Sequence, residues 1–181
     1  MTSITALLLD NPDFSSDLYD IAQVQSHPKN STIHEAGHRC NHLYLVNTGL
    51  IRVFYLKEGK DITVHLAKEQ ESFTAIDSLF QNKKSTYSIE TLEPSELIRI
   101  SAEALEQLLS SKPHYERIGR LFTQNIYIEL ATRLHHLQLH TARERYQILT
   151  QKHPDLLRRV PAKHLASYLG MTAETFSRIR Y

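Results

Sequence analysis

Six apolar residues, Ile118, Phe122, Ile126, Leu130, Leu134 and Leu137, recur at spacings of four, four, four, four and three. Such a row lies along one face of an α-helix. Pro113, after Ser111-Lys112, suits the first turn of that helix. A helix of about 28 residues is ~42 Å long at its usual rise, more than a small β-domain can cover. The rest of the stripe is therefore expected to meet a second copy of the chain, as in a coiled coil. Residues 112–140 read as a dimerisation helix with those six side chains at the interface. A helix packed wholly within one chain is the alternative.

Upstream the period is that of strands. From about Phe14 to Ile100 short β-rich runs are separated by turn chemistry. Leu43 to Val46 is apolar, and Asn47-Thr48-Gly49 follows. Leu50 to Leu56 resumes with Ile51, Val53 and Tyr55 on one face. Gly59 marks the next turn, and Ile62, Val64 and Leu66 alternate beyond it. Tyr87 to Leu92 and Leu97 to Ile100 flank Glu93-Pro94-Ser95. Strands this short and regular predict an antiparallel sandwich or jelly roll over residues 14–111. Downstream, residues 141–181 read as short helices: Ala142 to His153, a turn near Asp155 to Arg159, Ala162 to Leu169, and Thr172 to at least Arg180.

Charge separates the same segments. The chain carries a net +1, but residues 141–181 hold eight basic and three acidic side chains, a surplus of +5 set against −4 in the rest. A basic end on an acidic body suggests a polyanionic partner for that end. A single cysteine, Cys40, excludes an internal disulfide and a four-cysteine metal site. No apolar run is long enough to span a bilayer, and the N-terminus lacks the pattern of a signal peptide. A cytoplasmic setting is expected.

Residues 162–181 read AKHLASYLG-MT-AETFSRIRY. Leu165 and Leu169 are apolar at i and i+4, and Ala166 is small where a second helix must cross. Gly170 stands where a turn needs a positive φ. Thr172 can cap the second helix, whose Phe176 and Ile179 face back to the first. Glu174, Ser177 and Arg178 then face outward. Arginine can donate two bonds to guanine, and glutamate can accept from cytosine. Thr172, Lys163 and Arg180 are placed for phosphates. A plain surface pair between Glu174 and Arg178, worth only ~0.3–0.5 kcal/mol, is the competing view of those two residues.

GMTAETFSRIR resembles the recognition element of the Crp/Fnr family of bacterial transcriptional regulators. The segment HEAGHRCNHLYLVNTGLIRVFYLKEGKDITVHL is similar to that family's β-roll, with its E-x-G, its L-Y strand and its T-G-x-I-R-V hairpin. The resemblance implies an α+β chain: an N-terminal antiparallel, cupin-like β-roll sensor, a long dimerisation helix, and a C-terminal all-α, winged helix-turn-helix. It also implies a homodimer on double-stranded DNA, with RNA polymerase as a further candidate partner. Members whose helix carries E-x-x-S-R favour TTGA-like half-sites arranged as an inverted repeat, and Ala173 stands where guanine-preferring members carry an extra arginine.

Two departures are visible. Members that bind cyclic AMP carry G-E-L and, later, R-S or R-T. Here the equivalent stretch is Phe73 to Phe80, then Lys83-Lys84-Ser85-Thr86. The Gly-Glu pair is missing and Lys84 replaces the arginine. Asp77, Lys84, Ser85 and Thr86 remain the candidate effector pocket, cyclic AMP is not expected as a tight ligand, and no cofactor is evident. The wing would follow the recognition helix and is not found before Tyr181, so it is read as truncated or absent.

Other patterns suggest other chemistry. His34-Glu35-Ala36-Gly37-His38 matches H-E-x-x-H, a zinc-protease motif that works only on a helix, and Gly37 argues against one. A cupin-like metalloenzyme using His34, His38 and His42 is a second alternative, and a small-molecule-binding β-roll with a non-functional DNA end is the first. His136 and His140 are also i and i+4, on the long helix, and could bind a metal at the dimer interface, but they are read as exposed polar positions. The reading adopted is a regulator and not an enzyme.

Overall fold

The computed structural model describes residues 11–180; Tyr181 and the N-terminal stretch searched for a signal peptide lie outside them. The chain begins with helix α1 (Pro12–Asp20), followed by strands β1 (Gln23–His27), β2 (Thr32–His34), β3 (His42–Thr48), β4 (Ile51–Lys57), β5 (Lys60–Ala67) and β6 (Ser72–Phe73). Helix α2 (Ile76–Gln81) interrupts the strands before β7 (Ser88–Thr91) and β8 (Ser95–Ser101). Six helices follow: α3 (Ala102–Ser111), α4 (Pro113–Leu139), α5 (Ala142–Lys152), α6 (Leu156–Arg159), α7 (Ala162–Tyr168) and α8 (Ala173–Arg180).

The strands form two four-stranded antiparallel sheets, in the orders β1-β8-β3-β6 and β2-β7-β4-β5. Between them lies an apolar core that includes Tyr44, Val46, Ile51, Val53, Phe73, Ile89 and Leu97. This is a jelly roll, the fold expected from the strand spacing. Leu43 to Val46 is apolar at every position because β3 is covered on both sides. Tyr44 and Val46 enter the core between the sheets, while Leu45 meets a second core under α1, α3 and α4. Gly49 turns the chain into β4 at φ +103°, and a Cβ there would collide with Ser95.

The segment starting at Phe14 corrects the strand reading. Asn11 caps α1 by accepting the Phe14 N–H at 3.0 Å, with Pro12 in the first turn. Phe14 and Leu18, four apart, are buried against Tyr115 and Ile100. A single i,i+4 pair carries too little periodicity to stand out in sequence. In α3, Leu105, Leu108 and Leu109 stand at i, i+3 and i+4 and pack onto that cluster, and Gly119 leaves room for Leu109.

Helix α4 has 27 residues and is ~40 Å long. It divides the six-residue stripe. Ile118 and Phe122 pack within the chain against the Tyr115 cluster. Leu130 and Leu134 remain 53% and 55% exposed, with Tyr127 and Ile128 exposed beside them.

The C-terminal helices α5–α8 fold back onto the flank of the roll. One continuous cluster joins Leu50, Leu66 and Leu92 of the roll to Leu149, Leu156, Val160, Leu165 and Phe176. Charge reinforces it. Arg159 donates to Glu69 at 2.7 and 2.9 Å, to Glu93 at 2.8 Å and to the Gly49 carbonyl at 3.0 Å. These bonds hold the Glu69 carboxyl at about 2. Lys68 pairs with Asp155 at 2.9 Å, and the Ser167 hydroxyl accepts the Thr63 N–H and donates to the Asp61 carbonyl. Replacing Arg159 with Ala is expected to lower stability in urea by about 1–2 kcal/mol, after allowance for solvent screening. The exposed Arg158→Ala serves as control, and equal midpoints for the two variants would disprove the role assigned to Arg159.

Candidate nucleic-acid interface and effector pocket

Helices α7 and α8 are joined by a turn whose backbone bonds set their crossing. The Met171 N–H donates to Ala166 O and the Gly170 N–H to Ser167 O, both at 3.0 Å. This is a Schellman cap with Gly170 at φ +65°. The Thr172 hydroxyl then accepts the Thr175 N–H at 3.2 Å and caps α8. Ala166 and Leu165 are buried, and Phe176 packs on them from α8, with the Tyr146 ring edge-on at 5.6 Å.

Burying Phe176 turns Glu174, Ser177 and Arg178 to solvent, and all three are exposed together with Thr172, Lys163 and Arg180. Glu174 and Arg178 share a face but form no ion pair. The Thr172 hydroxyl, the first turn of backbone and Arg178 together hold the Glu174 carboxyl below its usual range. Arg178 therefore has its full fork of donors available.

The charge count needs refinement. Of the eight basic residues counted in this segment, Arg143, Lys152, Arg158, Lys163, Arg178 and Arg180 are exposed. Arg145 and Arg159 are structural. Arg159 docks the helices on the roll, as above. Arg145 donates Nη1 to the His140 carbonyl at 2.5 Å, Nε to Leu169 O at 2.7 Å and Nη2 to Gly170 O at 3.2 Å. It clamps the end of α4 to the turn between α7 and α8. Arg133 adds a bond to Tyr168 O at 2.9 Å and lies over that ring at 4.1 Å. Composition identifies such arginines only as positive charge, and nothing in the sequence separates these two from the other six.

In the β-roll, three of the four candidate effector residues converge. Asp77, in the first turn of α2, accepts the Ser85 hydroxyl at 2.7 Å, the Thr86 N–H at 2.9 Å and the Thr86 hydroxyl at 3.1 Å. Burial pushes its carboxyl up, but these bonds outweigh it and hold Asp77 below the usual carboxylate range. The Ser85 and Thr86 donors are thus already satisfied by a carboxylate of the chain itself. Lys84 is exposed and takes no part.

The H-E-x-x-H segment is not helical. His34 ends β2 and Gly37 turns at φ +88°. His34, His38 and His42 do not form a metal-binding group among the described residues, and His42 meets Arg99 at 2.6 Å. Cys40 is buried, its sulfur 3.8 Å from the Thr74 hydroxyl.

Residues 24–112 match the family of the cyclic nucleotide-binding domain. The β-roll is similar to that family. Solved structures extend the likeness to the whole chain. The catabolite activator protein of Thermus thermophilus aligns at 24% identity over 98% of this chain and 85% of its own, with a TM-score of 0.62. A mutant of CooA from Carboxydothermus hydrogenoformans aligns at 18% identity over 99% and 83%, with a TM-score of 0.73. A transcriptional regulator of the Crp/Fnr family from Eubacterium rectale aligns at 17% identity over 93% and 81%, with a TM-score of 0.69. The chain therefore has the Crp/Fnr fold, as its motifs suggest. No curated protein matches it significantly. No helix among the described residues is long and apolar enough to cross a membrane.

A cyclic phosphate placed beside Asp77 would meet like charge and donors already bonded to that carboxylate. Cyclic AMP is expected to bind no more tightly than millimolar in calorimetry. Micromolar binding to the unaltered chain would refute this account of Asp77.

Proposed function

We propose that the chain is a homodimeric, sequence-specific DNA-binding transcriptional regulator of the Crp/Fnr type. The observation that carries this reading is the unit from Ala162 to Arg180, in which a capped turn and a buried Phe176 present Glu174, Ser177 and Arg178 on one exposed face. Arg178 reads guanine through O6 and N7, Glu174 accepts from cytosine N4, and Ser177 is a third reader. Thr172, Lys163 and Arg180 hold the phosphate backbone. The regulators that share the fold support the same assignment. The setting is cytoplasmic, and RNA polymerase is a candidate partner once DNA is bound.

The dimer forms through α4. Leu130 and Leu134 are apolar and uncovered, and they continue the stripe that Ile118 and Phe122 begin inside the chain. Ile126 lies between the two zones, and Leu137 reaches the turn at Gly170. A two-fold dimer presents two α8 helices to an inverted repeat of TTGA-like half-sites, with centres about one to two helical turns apart. The β-roll is the sensor, and its output is the placement of the two heads. Asp77, Ser85 and Thr86 line the place where an effector would act, with Lys84 at its rim.

Selection of bound sequences from random duplex DNA tests the reading directly, and sites lacking two-fold symmetry would refute it. Arg178→Ala is expected to cost ~1–3 kcal/mol and relax preference at the guanine. Lys163→Ala should weaken all sequences alike and reduce the salt dependence. An unchanged base preference in Arg178→Ala would rule out this docking. Changing Leu130 and Leu134 together to Glu is expected to give monomers in sedimentation and to abolish specific binding. A variant that stays dimeric would move the interface elsewhere.

A further inference from the structure

Three histidines gather at the end of α4. His135, His136 and His140 each offer a ring nitrogen, and these nitrogens lie within 4.8 Å of one another. His136 and His140 are four apart, with ring centroids 5.2 Å from each other, and His135 approaches His140 at 5.8 Å. His140 is the residue at which the helix stops. Its backbone is extended, and its N–H still donates to His136 O at 3.2 Å. Among the described residues none of the three rings makes a hydrogen bond to another group.

A tetrahedral ion with Zn–N bonds of ~2.0–2.1 Å needs its ligand nitrogens ~3.3 Å apart. The rings must therefore turn toward one another from the 4.8 Å seen here to close on an ion. His135 is exposed, and the other two are half-buried. Three neutral imidazoles suit zinc, nickel, cobalt and copper rather than calcium or magnesium. The nearby Glu144 carboxylate is committed to the capping box with Thr141.

The position gives the cluster leverage. The His140 carbonyl receives Arg145 Nη1, and the same guanidinium holds Leu169 O and Gly170 O. We propose that His135, His136 and His140 bind one divalent transition-metal ion of the zinc class per chain, and that the ion stiffens the joint between the long helix and the helix-turn-helix. The three rings supply three ligands, and water completes the fourth position. Fixing His136 and His140 to one ion prevents the last turn of α4 from fraying, and Arg145 passes that order to the turn ahead of α8. Neither binding nor stiffening requires that the chain read DNA.

Calorimetry of the full chain with zinc chloride alone tests the site. One equivalent per chain is expected at micromolar affinity or better. Cobalt(II) should give the visible absorption of a tetrahedral complex. His136→Ala and His140→Ala should each weaken zinc binding at least ~10-fold, the range seen when even a ligand's supporting residue is lost. His27→Ala, on β1, should change nothing. With zinc tenfold above its dissociation constant, the amides of residues 140–145 should exchange with solvent ~10-fold more slowly. The three histidines are solvent-accessible, so thermal unfolding of the metal-free variants should match the unaltered chain. Zinc binding weaker than millimolar, or unaffected by His136→Ala and His140→Ala, overturns the site. Unchanged exchange at residues 140–145 with zinc bound overturns the stiffening.

Discussion

The structure depends on apolar burial that crosses from the β-roll into the C-terminal helices. Leu50, Leu66 and Leu92 lie at one margin of the roll, and without Leu149, Leu156 and Val160 they would face water. The helices have the same need, since α7 and α8 are too short to enclose a core of their own. Neither part is complete alone, which is why both ionic links across the boundary, Arg159 to Glu69 and Glu93 and Lys68 to Asp155, sit at the edge of this shared cluster. Charge at the rim of an apolar contact fixes its register more than it adds attraction.

Inside the roll the opposite strategy is used. Asp77 gathers polar groups from across a loop, accepting the Ser85 hydroxyl and both the N–H and the hydroxyl of Thr86. On the proposed reading, an effector acting there competes with a carboxylate held by three bonds.

Much of this was legible in the sequence. The strands from β3 to β5 are marked by apolar runs, alternation and turn residues, although these do not show that Arg52 and Thr63 are buried too, and the two short helices around Gly170 follow from where small, apolar and capping residues must stand. Helix α1 was not legible, because Phe14 and Leu18 make only one helical pair and its cap, Asn11-Pro12, also fits a turn. The division of the α4 stripe was hidden for another reason. Periodicity records that a side chain avoids water, not what covers it, so Ile118 on its own core and Leu130 in the open look alike. Arg145 and Arg159 were hidden because a guanidinium bonded to carbonyls or carboxylates has the same letter as one facing solvent. The convergence at Asp77 needed the fold, since a loop and a helix nine residues apart must meet.

The clamp at Arg145 has a consequence for variation. It grips main-chain oxygens of His140, Leu169 and Gly170, and carbonyl oxygens persist whatever side chains those positions carry. The outward residues of α8 contribute nothing to the clamp. On the proposed reading, which bases are preferred and how far apart the half-sites stand are inherited through separate groups of atoms. A lineage could rewrite Glu174, Ser177 or Arg178 and acquire new operators of unaltered length, while a change at Arg145 would disturb the ruler and leave the alphabet intact.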